Sequence, residues 1–271
     1  MNQPIGIVVD FDGTVADTFQ PSPNNIGVNE AYAQAVAEVF GEDGTQAYED
    51  IGGLQNRAPG ELVRVLIEQC PTLTKRLVEE APEKIFVVAT DALVQAKLHV
   101  LTREIGTTWP LPCIGFQKFC EALFALRRKG VNIRFAILSS GHTPFIRTTF
   151  EVWGRQWPVF TPEVVVSDDE LRPLPIDPDR KVKPHPFLFE MIEARLGFDR
   201  TGMVYIGDDP NKDGRLAMAA GVPFGLFDPI GTKLLPEGVA AAIQFENWSV
   251  LAEKLKKNTA ALKRGELQAV F

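Results

Sequence analysis

Short Val- and Ile-rich runs alternate with helix-patterned segments through the second half of this chain, and one more run of the same kind stands apart at its start. Residues 5–9, Ile-Gly-Ile-Val-Val, predict a short strand buried on both faces, because the run shows no polar alternation. The later series begins with a helix over Phe116–Arg128, stopped by Gly130, and a strand over Ile133–Leu138. A helix near Thr143–Trp153, a strand at Val164–Val166 and a helix over Pro186–Leu196 are expected next. A strand at Met203–Ile206, a helix near Asn211–Ala220, a strand at Pro223–Phe227 and a last helix over about Trp248–Lys257 complete it. Alternation of this kind predicts an α/β fold with a Rossmann-like, doubly wound parallel sheet, since parallel neighbours need long crossovers.

The first strand belongs with that later series, so what lies between is an insertion. From about Val28 to Leu101 the apolar spacing is helical. Ala31, Ala35, Val36, Val39 and Phe40 share one face, as do Leu62, Val65 and Leu66 after Pro59 in a first turn. Ile85, Val88, Ala89, Ala92, Leu93 and Ala96 repeat the pattern. Thr18 to Gly27 is polar and rich in Pro and Asn, and reads as a loop. The expected organisation is an α/β core, residues 1–16 and 113–271, carrying a helical insertion, residues 17–112.

Composition narrows the function classes. Of 271 residues, 45% are hydrophobic and 23% charged, with a formal net charge of −7. That balance argues against general nucleic-acid binding. An anionic substrate then needs cations gathered locally. The three cysteines, Cys70, Cys113 and Cys120, form no C-x-x-C pair, and an odd, low count fits a reducing compartment. His99, His142 and His185 are far apart, against a His-based zinc site. No apolar stretch suits a membrane span and the first residues, Met-Asn-Gln-Pro-Ile-Gly, lack a secretory pattern, so a cytoplasmic location is expected.

In open α/β sheets, ligands sit beyond the carboxyl ends of the strands. The expected strands end in chemistry. Asp10-Phe11-Asp12-Gly13-Thr14 follows the first, Ser139-Ser140-Gly141 the second and Gly207-Asp208-Asp209 a third, with Asp213 shortly after. Lys183-Pro184-His185-Pro186 precedes a helix between the last two. Like carboxylates repel and resist burial unless a cation or shared proton relieves them. Asp10, Asp12 and Asp208 can share Mg²⁺, which prefers oxygen ligands and leaves room for a substrate phosphate. Ser139 can donate to a phosphate oxygen and Lys183 supplies positive charge. Phosphoryl transfer is the reaction class this set suggests.

Taken in order, Asp10-Phe11-Asp12-Gly13-Thr14, Ser139, Lys183-Pro184 and Gly207-Asp208-Asp209 with Asp213 resemble the haloacid dehalogenase superfamily over the whole chain. The helical insertion resembles that family's C1-type cap. The resemblance implies that Asp10 is a nucleophile forming an aspartyl-phosphate, and that Asp12 protonates the leaving oxygen and then activates water. It implies metal binding by Asp10, the Asp12 backbone carbonyl and Asp208, with Asp209 and Asp213 tuning the metal or holding Lys183. Phe11, Ser140, Gly141 and Arg57 join as candidate substrate contacts. A second acid at Asp12 favours phosphatase or phosphomutase chemistry over dehalogenation. Cap closure would exclude water, with the two chain crossings as hinges.

Other readings of these residues stay open. Asp10 and Asp12 can be ordinary turn residues beside Gly13. Ser140 can replace Ser139 as the working hydroxyl, and Lys181 competes with Lys183. Asp213 can be a helix first-turn acid. His142 can line the pocket or be structural. Arg57, in the loop-like stretch Gly52 to Pro59, can reach a substrate carboxylate or second phosphate, or remain a surface arginine. Arg127-Arg128-Lys129 reads as a dipole-compatible helix end. The role of the Pro-rich Leu171–Pro178 segment stays unassigned. The expected function is Mg²⁺-dependent hydrolysis of a small phosphorylated metabolite. Phosphoglycolate, a sugar phosphate and a nucleotide monophosphate all fit. The alternatives are a phosphomutase of the β-phosphoglucomutase type and a non-catalytic binding protein of the same fold.

Overall fold

The computed structural model describes residues 3–19, 26–54, 57, 59–69, 85–102 and 110–271. Cys70, residues 20–25 of the expected loop, and Gln55, Asn56 and Ala58 beside Arg57 lie outside these. The chain divides into two compact units, Met1–Asp17 with Pro112–Phe271, and Thr18–Leu111. Among the described residues, no helix is long and apolar enough to cross a membrane.

Among the described residues, eight strands follow one another along the chain, in the first unit and at its boundary. They are β1 (Ile5–Val9), β2 (Ala16–Asp17), β3 (Leu111–Pro112), β4 (Ile133–Leu138), β5 (Val164–Val166), β6 (Met203–Gly207), β7 (Phe224–Phe227) and β8 (Ile243–Phe245). The two-residue strands β2 and β3 mark where the chain leaves and re-enters this unit. The other six form one parallel sheet in the order β5-β4-β1-β6-β7-β8. All five residues of β1 are buried, as are all five of β6, which explains their unbroken apolar runs. The chain winds outward from β1 through β4 to β5, then crosses back to β6 on the other side. The crevice between β1 and β6 is therefore the topological switch point, where a ligand is accommodated in such sheets.

Helices Phe116–Arg128 and Trp248–Lys257 cover the sheet with an aromatic layer. Phe119 lies 4.6 Å from Trp248 between ring centroids, and Phe116 and Phe245 both meet Trp248 edge-on. A second apolar cluster gathers Val8, Leu138, Val166, Phe189, Ile192, Tyr205 and Leu216. Burying rings of this size contributes roughly 2–3 kcal/mol each, enough to hold the strand ends still. Arg127 donates to the Ile133 carbonyl and pairs with Glu163, so the basic helix end is structural. Cys113 and Cys120 are free thiols, and burial pushes Cys120 up to about 12, far from reactive.

Two sequence expectations need correction, and one strand was not expected. The expected helix over 211–220 is a wide, π-helical turn at Pro210–Gly214 followed by a helix at Arg215–Ala220. The edge strand β8 carries no apolar run, since Gln244 is exposed between two buried residues. The expected last helix is followed by another, Thr259–Lys263.

The second unit is helical among its described residues, with helices Val28–Asp50, Pro59–Gln69 and Ile85–Thr102. The first is interrupted at Gly41, whose φ of 71° is left-handed and suits glycine. Val36, Phe40, Leu62, Leu66, Ala89 and Leu93 build its core on the faces the helical spacing marked out, and Tyr32 joins them.

Candidate active site

The carboxyl end of β1 delivers Asp10 and that of β6 delivers Asp208, on neighbouring strands. The pairing of those strands extends one step further, with the Asp10 amide donating to the Ile206 carbonyl at 2.8 Å. Lys183 reaches Asp10 from the segment before helix Phe187–Leu196. Its Nζ lies 2.5 Å from Asp10 Oδ1 and 2.8 Å from Asp213 Oδ1, with all three side chains at most 10% exposed. Lys181 turns away and donates to the Arg172 carbonyl at 2.9 Å, closing the Pro-rich segment on itself. Of these two lysines, Lys183 is the one that meets the acids.

Asp213 comes from the wide turn Pro210–Gly214, and both of its carboxylate oxygens accept hydrogen bonds. Oδ1 meets Lys183 and the buried Tyr205 hydroxyl, at 2.9 Å, and Oδ2 accepts from the Asp209 amide at 3.1 Å. It holds Lys183 in place. Asp209 caps the same turn, accepting from the Asn211 and Lys212 amides at 2.8 and 3.1 Å. That geometry gives the Asp209 carboxylate a local structural partner, and it does not join Asp10, Asp208 and Asp213, whose oxygens lie within 4.8 Å of one another.

Thr14 ties the two strand ends together. Its hydroxyl lies 3.1 Å from Asp208 Oδ1 and 3.5 Å from Asp10 Oδ2, and its carbonyl accepts from the Trp248 indole at 2.8 Å. A hydroxyl has one proton and cannot satisfy both carboxylates. Burial pushes Asp10 well above the usual carboxylate range. Lys183 pulls it down, while Asp213 and Asp208 push it further up. Burial works against charge on Lys183, but Asp10 and Asp213 outweigh it and hold the ammonium above its ordinary range. Asp208 is likewise raised by burial, with Lys233 opposing. Asp10 Oδ2 and Asp208 Oδ1 converge on the one Thr14 hydroxyl. One carboxylate oxygen each from Asp10, Asp208 and Asp213 lies within 4.8 Å of the others, an all-oxygen set that could hold a hard divalent cation.

Asp12 and Ser139 form the other side. Ser139 is buried, and its Oγ accepts from the Gly141 amide at 2.9 Å and lies 3.5 Å from Asp12 Oδ2. Ser140 is exposed. A Cβ on Gly141 would come within 2.9 Å of Asp12 Oδ2, so glycine leaves that carboxylate its room. The Phe11 ring is buried against Phe145 and Phe150, which leaves only its backbone for a ligand. His142 is buried at the start of helix Thr143–Gly154. Arg57, in the helical unit, donates to the Gly53 carbonyl at 3.0 Å.

Thr14, Tyr205 and Lys233 are the participants to which the sequence reading assigned no role. Lys233 lies beyond β7, and its Nζ is 2.8 Å from Asp208 Oδ2 and 2.6 Å from the Asp208 carbonyl.

Residues 6–221 match the family model described as haloacid dehalogenase-like hydrolase. No curated protein matches the chain by sequence. Among solved structures, CbbY from Rhodobacter sphaeroides in complex with phosphate is similar at TM-score 0.56 and 18% identity, covering 91% of this chain and 95% of that one. A predicted phosphoglycolate phosphatase from Haemophilus somnus 129PT is similar at TM-score 0.54 and 18% identity, covering 95% and 99%. The 2-haloacid dehalogenase of Pseudomonas syringae pv. tomato DC3000 is similar at TM-score 0.51 and 18% identity, covering 94% and 99%. Likeness at this identity establishes the shared fold.

Proposed function

The chain belongs to the haloacid dehalogenase-like hydrolase family, and from that premise we propose that this enzyme is a Mg²⁺-dependent phosphatase acting on a small phosphate monoester in the cytoplasm. The observation that carries the reading is the pair of acids on one strand end with different surroundings. Asp10 is buried against Lys183, and Asp12 stands beside Ser139 on the other side.

That difference suits two roles. The Asp10 carboxylate attacks phosphorus, and the bond from phosphorus to the ester oxygen breaks. Asp12 donates its proton to that departing oxygen. Asp12 then takes a proton from water as the water attacks the aspartyl-phosphate, which releases inorganic phosphate and restores Asp10. Lys183 and Ser139 hold phosphate oxygens, as charged and neutral donors respectively. Asp10, Asp208 and the Asp12 carbonyl would hold the magnesium ion, which would supply neutralisation of the charge developing on the phosphoryl group. Asp209 and Asp213 act through the turn they build, Asp213 by fixing Lys183. An acid at Asp12 favours this chemistry over dehalogenation, where no alkoxide needs a proton.

The test is inorganic phosphate release across a panel of small phosphomonoesters, with Mg²⁺ or with EDTA, for the native protein and Asp10→Asn. Release that needs Mg²⁺ and vanishes in Asp10→Asn supports the reading. Release that survives EDTA removes the metal from it. Halide release from a 2-haloacid with no phosphate release from any ester overturns it.

A further inference from the structure

The site holds a cation that no motif announces. Lys233 sits in the loop after β7, and Asp228 at the end of that strand shapes the loop. Asp228 Oδ1 accepts from the Gly231 amide at 2.9 Å. Its Oδ2 accepts from the Lys233 amide at 2.8 Å and the Gln244 side chain at 3.1 Å. With its backbone held there, Lys233 extends to Asp208 and meets both the carboxylate and the main-chain carbonyl of the same residue. Ile230 and Leu234, on either side, are 79% and 88% exposed, so the loop runs over the surface. The Lys233 side chain is 30% exposed, against 5% for Lys183. One lysine is locked between two buried carboxylates, and the other reaches in from solvent to one.

We propose that Lys233 is a tethered counter-cation that competes with divalent metal for Asp208 and thereby sets the metal affinity of the site. The inference rests on the metal-dependent phosphatase reading above and deepens it. A fixed positive charge against a ligand carboxylate opposes a second cation at that carboxylate. It also stabilises Asp208 when the metal is absent, so the metal-free protein is not left with an uncompensated acid. A long, partly exposed lysine can leave Asp208 for water at small cost, which suits an exchangeable partner.

The contrary role is also concrete. Lys233 could orient Asp208 for the metal, and removing it would then weaken binding. The two roles differ in sign. Binding of MgCl₂ alone is measured by isothermal titration calorimetry for the native protein, Lys233→Met and Lys233→Arg. Lys233→Met is expected to bind Mg²⁺ about tenfold more tightly, the order of one ion pair removed in well-hydrated surroundings. Lys233→Arg, which keeps the charge, should stay near the native affinity. A second readout is thermal melting. Lys233→Met should melt lower than the native protein in EDTA and gain more from added Mg²⁺. Unchanged or weaker Mg²⁺ binding by Lys233→Met overturns the proposal while leaving the phosphatase reading intact. Absence of Mg²⁺ binding in all three proteins overturns the metal reading and this proposal with it. Asp228→Asn, which loosens the loop but leaves Lys233 in the chain, should shift affinity in the same direction as Lys233→Met by a smaller factor.

Discussion

Gly207 and Asp213 share one space: a Cβ added to Gly207 would overlap the Asp213 carboxylate. The last residue of β6 therefore has no side chain because the acid that holds Lys183 folds back over it. The wide turn Pro210–Gly214 makes this return possible, with the Asp213 and Gly214 amides both directed at the Asp209 carbonyl. Gly207→Ala should fold, lose about 1–3 kcal/mol to overpacking, and lose activity by about tenfold or more because Lys183 is displaced. Urea unfolding beside kcat measures both. Native kcat in a destabilised variant would show that Asp213 does not position Lys183.

Ser139 and Ser140 separate cleanly in their surroundings. Ser139 is buried against Gly141 and Asp12, and Ser140 is exposed. Ser139→Ala should lower kcat/KM by about tenfold to a hundredfold, the scale of one hydrogen bond to a charged phosphate. Ser140→Ala should stay within about threefold, as surface changes do. The reverse order in a steady-state assay would move the phosphate donor to Ser140.

Asp208 makes the metal-free protein sensitive to pH. Burial holds its carboxyl above the ordinary range, so folding favours the protonated form. The stability this contributes is fully present below the unfolded value, near pH 4, and is lost as pH rises through the raised folded value. Asp208→Asn carries no charge to bury. In EDTA its Tm should equal or exceed the native Tm at pH 7.5, and the gap should close towards pH 4. Calorimetry across that range checks it, and a lower Tm for Asp208→Asn at pH 7.5 would show that Lys233 more than offsets the burial.

The sheet was legible where burial on both faces leaves unbroken apolar runs, as in β1 and β6. It was not legible at β8, whose three residues, Ile-Gln-Phe, are too few to display a period. The turn at Pro210–Gly214 read as helix because its departure from helical geometry follows from Asp213 reaching Lys183, a contact 30 residues away in sequence. The acids and Ser139 could be singled out because strand ends in such sheets point to one edge, and Lys183 because it stands just before a helix between two of those strands. Tyr205 looked like any other core residue of a strand, and only its hydroxyl at Asp213 reveals a second task. Thr14 was visible in its motif, yet bridging two carboxylates from different strands is a tertiary fact. Lys233 belongs to no motif, and its one local signal was its place beyond the carboxyl end of β7.

In the phosphatase reading, Asp10 carries the phosphoryl group during turnover. The most direct measurement is acid quenching of the native protein during turnover of its best phosphomonoester, followed by peptide mass spectrometry. Phosphate is expected on the peptide holding Asp10, absent after EDTA and absent in Asp10→Asn. An unmodified Asp10 peptide during active turnover, under a quench that preserves acyl-phosphates, would contradict it.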